Sequence, residues 1–171
     1  MTTIAGLTSG GKVLLAADQQ VSDGNGYTTL DANKIFRTGH LIMGIAGDYK
    51  AVNTLRWMPT PRFEYQGSPH RFMTLSFPRL VREFTEEYEL SFGEYEVLIG
   101  TKGYLFYYSS DDESVCATEN YYAIGTGGPF ALGSLATSEH HPSITDRLRK
   151  AVQVAIRFDS QSGGGIEFVS P

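Results

Sequence analysis

The 171-residue sequence contains a single cysteine, Cys116, so no disulfide can close within the chain. That suits a reducing compartment. Basic residues are also scarce: 14 Lys and Arg stand against 19 Asp and Glu, a formal charge of −5. Without a basic excess or a Lys/Arg cluster, a nucleic-acid footprint is not expected. No apolar run approaches the roughly 18 residues needed to cross a bilayer, and Met1-Thr2-Thr3-Ile4 lacks the positive flank of a signal peptide. The expectation is a cytoplasmic protein that engages neither nucleic acid nor membrane. Low charge does not mean disorder here, because 41% hydrophobic and 12% aromatic residues can fill a core. The length, with no linker and no fixed-period repeat, indicates one domain over residues 1–171.

Patterning gives the order of elements. Thr2 to Ser9 is β-rich and ends at Gly10-Gly11. Lys12 to Asp18 follows with an apolar run typical of a strand covered on both faces. Val21 to Ala32 reads as a loop with a short β excursion, and Lys34 to Arg37 with His40 to Ala46 as a hairpin. Asp48 is a candidate N-cap for a helix carrying Ala51, Leu55 and Met58, stopped by Pro59 and Pro61. Arg62 to Pro69 reads as a loop. A second helix, with Pro78 at its start or kinking it, places Phe77, Leu80, Val81, Phe84 and Tyr88 on one face. Strands are expected at Glu94 to Gly100, Tyr104 to Ser109 and Tyr121 to Gly125. Helices are expected from Pro129 to Ser138 and from Ser143 onward, then a strand from Ile166 to Val169. Blocks of strands and helices with hairpin turns argue for α+β with antiparallel sheets.

A few residues could carry chemistry. Removal of Met1 would leave Thr2 with a free α-amine beside its hydroxyl. With a pKa of roughly 7.7–8.0, that amine can act as the hydroxyl's base near neutral pH. Asp18 ends one strand and Lys34 opens another, so the two could meet near the chain start if those strands are adjacent. The alternative is an ordinary surface ion pair. Gly47 lies between a strand and a helix, where its N–H could stabilise an oxyanion. Gly125-Thr126-Gly127-Gly128-Pro129 joins a strand to a helix, but lacks the Lys-Ser/Thr ending of a phosphate-binding loop. Asp159 to Gly165 suits a tight polar loop. His140-His141 lacks a spaced ligand set, Asp111-Asp112-Glu113 reads as a solvated turn, and Cys116 has no basic neighbours to activate it.

Six stretches occur together and in register: Thr2-Thr3-Ile4-Ala5-Gly6, Ala17-Asp18-Gln19-Gln20-Val21-Ser22, Asn33-Lys34-Ile35, Gly44-Ile45-Ala46-Gly47, Ala123-Ile124-Gly125-Thr126-Gly127-Gly128-Pro129, and Lys150-Ala151-Val152 leading to Asp159-x-x-Ser162-Gly163. Over the whole chain they resemble proteasome-type β subunits, within the N-terminal-nucleophile hydrolases and near the bacterial HslV peptidases. The resemblance implies a four-layer αββα sandwich, two stacked and mainly antiparallel sheets between helix layers. It implies a threonine endopeptidase with Thr2 as nucleophile and its amine as base. Asp18 and Lys34 would be the charge pair, the Gly47 N–H the oxyanion donor, and Thr126, Asp159 and Ser162 would orient the amine and a water. It implies no required cofactor, but a structural cation (sodium or magnesium) on the backbone carbonyls of Ile156, Asp159 and Ser162. Its partners would be copies of itself in a ring or spiral, an AAA+ ATPase unfoldase and unfolded polypeptide.

Three departures stand out. Thr126 replaces the family's usual serine, the first helix lacks the acidic residue that commonly follows Ala51, and the Pro59 to Pro69 region is short and proline-rich. The Asp159 to Gly163 segment is nearer the proteasomal β pattern than HslV, as in a divergent bacterial or viral member. Two rivals remain: an inactive structural subunit of the same fold, and a small-molecule amidase with an N-terminal nucleophile.

Overall fold

The structure is a computed structural model, and it describes residues 2–22, 27–28, 33–60 and 68–171. Two antiparallel sheets form its centre. The first has the order β10-β1-β2-β11, built from β1 (Ile4–Ser9), β2 (Lys12–Asp18), β10 (Tyr121–Ile124) and β11 (Ile166–Val169). The second has the order β5-β6-β7-β8-β9: β5 (Ile35–Thr38), β6 (Leu41–Gly47), β7 (Tyr95–Thr101), β8 (Tyr104–Ser109) and β9 (Ser114–Ala117). A two-residue pair, β3 (Val21–Ser22) and β4 (Tyr27–Thr28), is the expected β excursion.

Strand alternation sorts the side chains into three apolar layers. Ile4, Val13, Leu15, Ala17, Ile42, Leu98 and Leu105 fill the space between the sheets. On the outer face of the first sheet, Ala5, Leu7 and Ala16 meet α4 (Gly128–Thr137) and α5 (Ile144–Phe158) through Leu135, Leu148, Ala151 and Val152. On the outer face of the second, Met43, Ile45, Val97 and Ile99 meet Leu55 of α1 (Tyr49–Leu55), Met73 and Phe77. Fully burying such side chains favours folding by about 1.5–3 kcal/mol each. The result is the α+β, four-layer αββα sandwich.

The helix starts follow sequence chemistry. The Asp48 carboxylate accepts the Lys50 amide at 2.7 Å, and Ser143 Oγ accepts the Asp146 amide at 3.2 Å. Pro78 lies in the first turn of α3 (Phe77–Glu87), as one of the two readings had it. Helical chain already runs through α2 (Pro69–Arg71) and a π-helical turn (Phe72–Ser76) before α3. The wider turn relieves the clash that a proline ring makes with the preceding turn of an α-helix. Phe77, Val81 and Phe84 are buried as expected, whereas Tyr88 is the C-cap residue and is exposed. Strand β9 escaped the sequence because Val115 is its one buried residue, too few to mark alternation. Of the loop expected over Arg62 to Pro69, residues 62–67 lie outside the described residues, and Pro69 opens α2.

Candidate active site

Thr2 and Thr3 lead into β1, and both are buried. The amide of Thr3 donates to Asp18 Oδ1 at 2.8 Å, and Lys34 Nζ donates to the same oxygen at 2.8 Å. Asp18 Oδ2 accepts the amides of Gly163 (3.0 Å) and Gln20 (3.2 Å). Asp18 and Lys34 therefore meet, but not as neighbours in one sheet. Asp18 ends β2 of the first sheet, and Lys34 precedes β5 of the second. Nor is this a surface pair, since the side chains are 0% and 4% exposed. Burial pulls the Lys34 pKa below its ordinary value, and the Asp18 carboxylate opposes that pull.

Gly47 is the last residue of β6, directly before Asp48, the cap of α1. Its φ of +115° favours glycine, and a Cβ there would strike the Glu94 carbonyl. Ile45 N–H donates to Lys34 O and Asp48 N–H to Glu94 O, both at 3.0 Å. Amides alternate in direction along a strand. The Gly47 N–H therefore points to the same edge as that of Ile45, past the start of β5. Gly47 and Thr2 share the wall of a cavity of about 430 Å³ with Ala46, Glu96, Tyr107 and Thr126.

The loop between β10 and α4 packs directly on the chain start. The Gly127 amide donates to Thr2 O at 3.4 Å. A Cβ on Gly125 (φ +82°) would collide with that same carbonyl, and one on Gly127 with Thr3 Oγ1. Thr126 is exposed and donates its hydroxyl to Asp159 Oδ2 at 2.8 Å. Ser162 Oγ donates to the same oxygen at 2.7 Å, and lies 2.6 Å from Thr3 Oγ1, which is then the donor to Ser162. Desolvation would raise the Asp159 pKa, but hydrogen bonds from Ser162, Thr126 and the Gln161 amide outweigh it and hold the carboxyl below its usual range.

The sequence-derived residues are thus brought together in two adjoining sets, Thr2-Asp18-Lys34 and Thr126-Asp159-Ser162, with Gly47 across the cavity; Thr3, not foreseen, joins the two sets by bonding Asp18 and Ser162. Ile156 lies in the last turn of α5, where carbonyls lack intrahelical donors, and Asp159 and Ser162 follow in the loop. The Asp159 carbonyl accepts the Ser162 amide at 3.1 Å. Its second lone pair and the open carbonyl of Ile156 fit a hard cation by donor type. Among the described residues no group of three or more His, Cys, Asp or Glu side chains is placed to hold a metal.

Two further residues of the site were not foreseen. Glu167 of β11 accepts the Lys34 amide at 3.1 Å, and Glu96 of β7 accepts the Gly125 amide at 3.0 Å and the Tyr107 hydroxyl at 3.0 Å. Burial raises the Glu167 pKa. Each is a lone carboxylate inside an apolar strand, and that was the available signal.

Comparison with known proteins agrees with the fold and gives the family. The family model "Proteasome subunit" matches residues 1–170. Proteasome subunit beta 1 of Hyperthermus butylicus is 27% identical, with 98% of this chain and 87% of that protein covered. Among solved structures, Thiobacillus denitrificans BPH in complex with epoxomicin superposes with a TM-score of 0.80 at 22% identity, covering 99% of this chain and 97% of that one. HslV of Trypanosoma brucei gives 0.71 at 21% identity, with 98% of each chain covered. The chain belongs to the proteasome subunit family.

Proposed function

We propose that the protein is a threonine endopeptidase whose nucleophile is Thr2 after removal of Met1. The observation that carries this reading is the buried Asp18 carboxylate, which binds both the amide following Thr2 and the Lys34 ammonium. A cation held on the carboxylate oxygen that also binds the Thr3 amide lowers the cost of forming an alkoxide on Thr2. The Thr2 amine takes the hydroxyl proton as Oγ attacks a peptide carbonyl. The Gly47 N–H stabilises the developing oxyanion, and the amine leaving group departs with the proton. Water, activated by the same amine and oriented beside Thr126, Asp159 and Ser162, then hydrolyses the acyl-ester and restores Thr2.

An open site of this kind would cut cellular polypeptides indiscriminately. Enclosure in a cytoplasmic homo-oligomeric ring or spiral is therefore part of the proposal, with an ATPase unfoldase delivering unfolded chains. A structural cation on the carbonyls of Ile156, Asp159 and Ser162 would brace the loop after α5 without entering the chemistry.

The test combines intact mass and peptide turnover. Active preparations should lack the mass of Met1, and Thr2→Ala should lose all measurable cleavage while keeping the circular dichroism of the parent. Full activity with Met1 retained, or normal turnover by Thr2→Ala, overturns the reading.

A further inference from the structure

We propose that Glu96 is a positioning residue for Thr2, acting from the opposite sheet through the Gly125–Gly127 loop; the part concerning catalysis rests on the Thr2 reading above. Alternation along β7 places Glu96 on the same face as Leu98, which is fully buried between the sheets. A carboxylate in that layer is costly unless its oxygens are hydrogen-bonded. Both are: Oε1 accepts the Tyr107 hydroxyl from the neighbouring strand β8, and Oε2 accepts the Gly125 amide, each at 3.0 Å. Burial and the Glu96 charge push the Tyr107 pKa up to about 12, so its hydroxyl remains a donor at any physiological pH.

The tie matters because of where it ends. Strand β10 is at the edge of its sheet, bonded to β1 on one side alone. The loop that leaves it carries three elements of the site: Gly125 over the Thr2 carbonyl, the Gly127 amide bonded to that carbonyl, and the Thr126 hydroxyl on Asp159. Glu96 anchors the first residue of this loop to β7, a strand paired on both sides within the second sheet. The carboxylate thereby sets the distance between a loop on an edge strand and a rigid sheet. Gly47, which pairs with Tyr95 immediately before Glu96, belongs to that second sheet. Glu96 therefore fixes the gap between the nucleophile side and the oxyanion side of the cavity.

The experiment uses the processed full chain with Glu96→Ala, Glu96→Gln and Glu96→Asp. Two readouts are followed: steady-state peptide cleavage, and hydrogen exchange of the Gly125–Gly127 amides by mass spectrometry. Glu96→Ala should lower kcat by about 10- to 100-fold with little change in KM, and speed exchange in the loop by about tenfold. Glu96→Gln retains a carbonyl oxygen for Gly125 and an NH2 that can bond Tyr107, so it should restore both. Glu96→Asp keeps the charge but is one methylene short, and should behave like the alanine variant; it also serves if the alanine variant fails to fold. Wild-type kcat and exchange in Glu96→Ala and Glu96→Asp overturn the proposal. So does a rise in KM alone, or a Gln variant as impaired as Ala, which would make charge rather than the hydrogen bond the cause. If the processed parent cleaves no peptide, the Thr2 reading fails separately, and the exchange measurement still decides whether Glu96 holds the loop.

Discussion

The two polar sets that flank the chain start are built on opposite physical terms. Asp18 and Lys34 are a dry, charged pair, sealed between β2 and the start of β5 and saturated by backbone amides. Thr126, Asp159 and Ser162 form a set of two hydroxyls around one half-buried carboxylate, wet at Thr126 and Asp159 while Ser162 is buried against Thr3. In the first, solvent is absent and removing one partner strands a charge. In the second, water can replace the exposed Thr126 donor. The difference teaches that the dry set has a structural role that cannot be separated from its electrostatics, while the exposed part of the second set, Thr126 and the Asp159 carboxylate, can be altered with little harm to the fold.

That contrast can be broken most forcefully at Asp18. Asp18→Ala would leave the buried Lys34 without its partner and the amides of Thr3 and Gly163 without an acceptor, costing about 3–5 kcal/mol. Chemical denaturation checks this; a loss near that of a surface pair would mean that water reaches Lys34 after all. Gly127→Ala comes next, because the added methyl meets Thr3 Oγ1 and lies 3.0 Å from both Ser162 Oγ and Ala155 Cβ. Overpacking of this kind costs about 1–3 kcal/mol, and thermal melts should show it.

The smallest effect belongs to Asp159→Asn and depends on pH. The Asp159 pKa is depressed in the folded protein, so its ionised form stabilises the fold above the ordinary aspartate value of 3.8. That contribution disappears as pH falls through the lowered folded value. The variant should therefore be less stable than the parent by roughly 1 kcal/mol at neutral pH, kept small by solvent screening. The gap should close in acid. Stability curves at neutral pH and at pH about 2–3 decide it; a gap independent of pH would place the loss in packing instead of charge.

Much of the fold was legible because its signals are local. Val13 to Ala17 and Ile42 to Ala46 are continuous apolar runs, as strands covered on both faces require. Asp48 and Ser143 carry the capping oxygens at the helix starts. Strand β9 was not legible, since one buried residue makes no period. The site residues on loops were readable as motifs, but their partners across the sandwich were not. Nothing near Lys34 in sequence points to Glu167, 133 positions away. Nor does Asp18 announce that it meets Lys34 from a different sheet. Local patterning reports which face a residue takes, whereas contacts between layers depend on how two separately specified sheets stack.

The grip on the chain start has a consequence for maturation. The bonds that hold it run through the Thr2 carbonyl, the Thr3 amide and the Thr3 hydroxyl. All lie on the far side of the Met1–Thr2 bond, which the proposed mechanism requires to be cut. Cutting that bond therefore severs none of them. Under the proposed mechanism, maturation leaves these contacts in place, and a single irreversible hydrolysis supplies the free amine that serves as base.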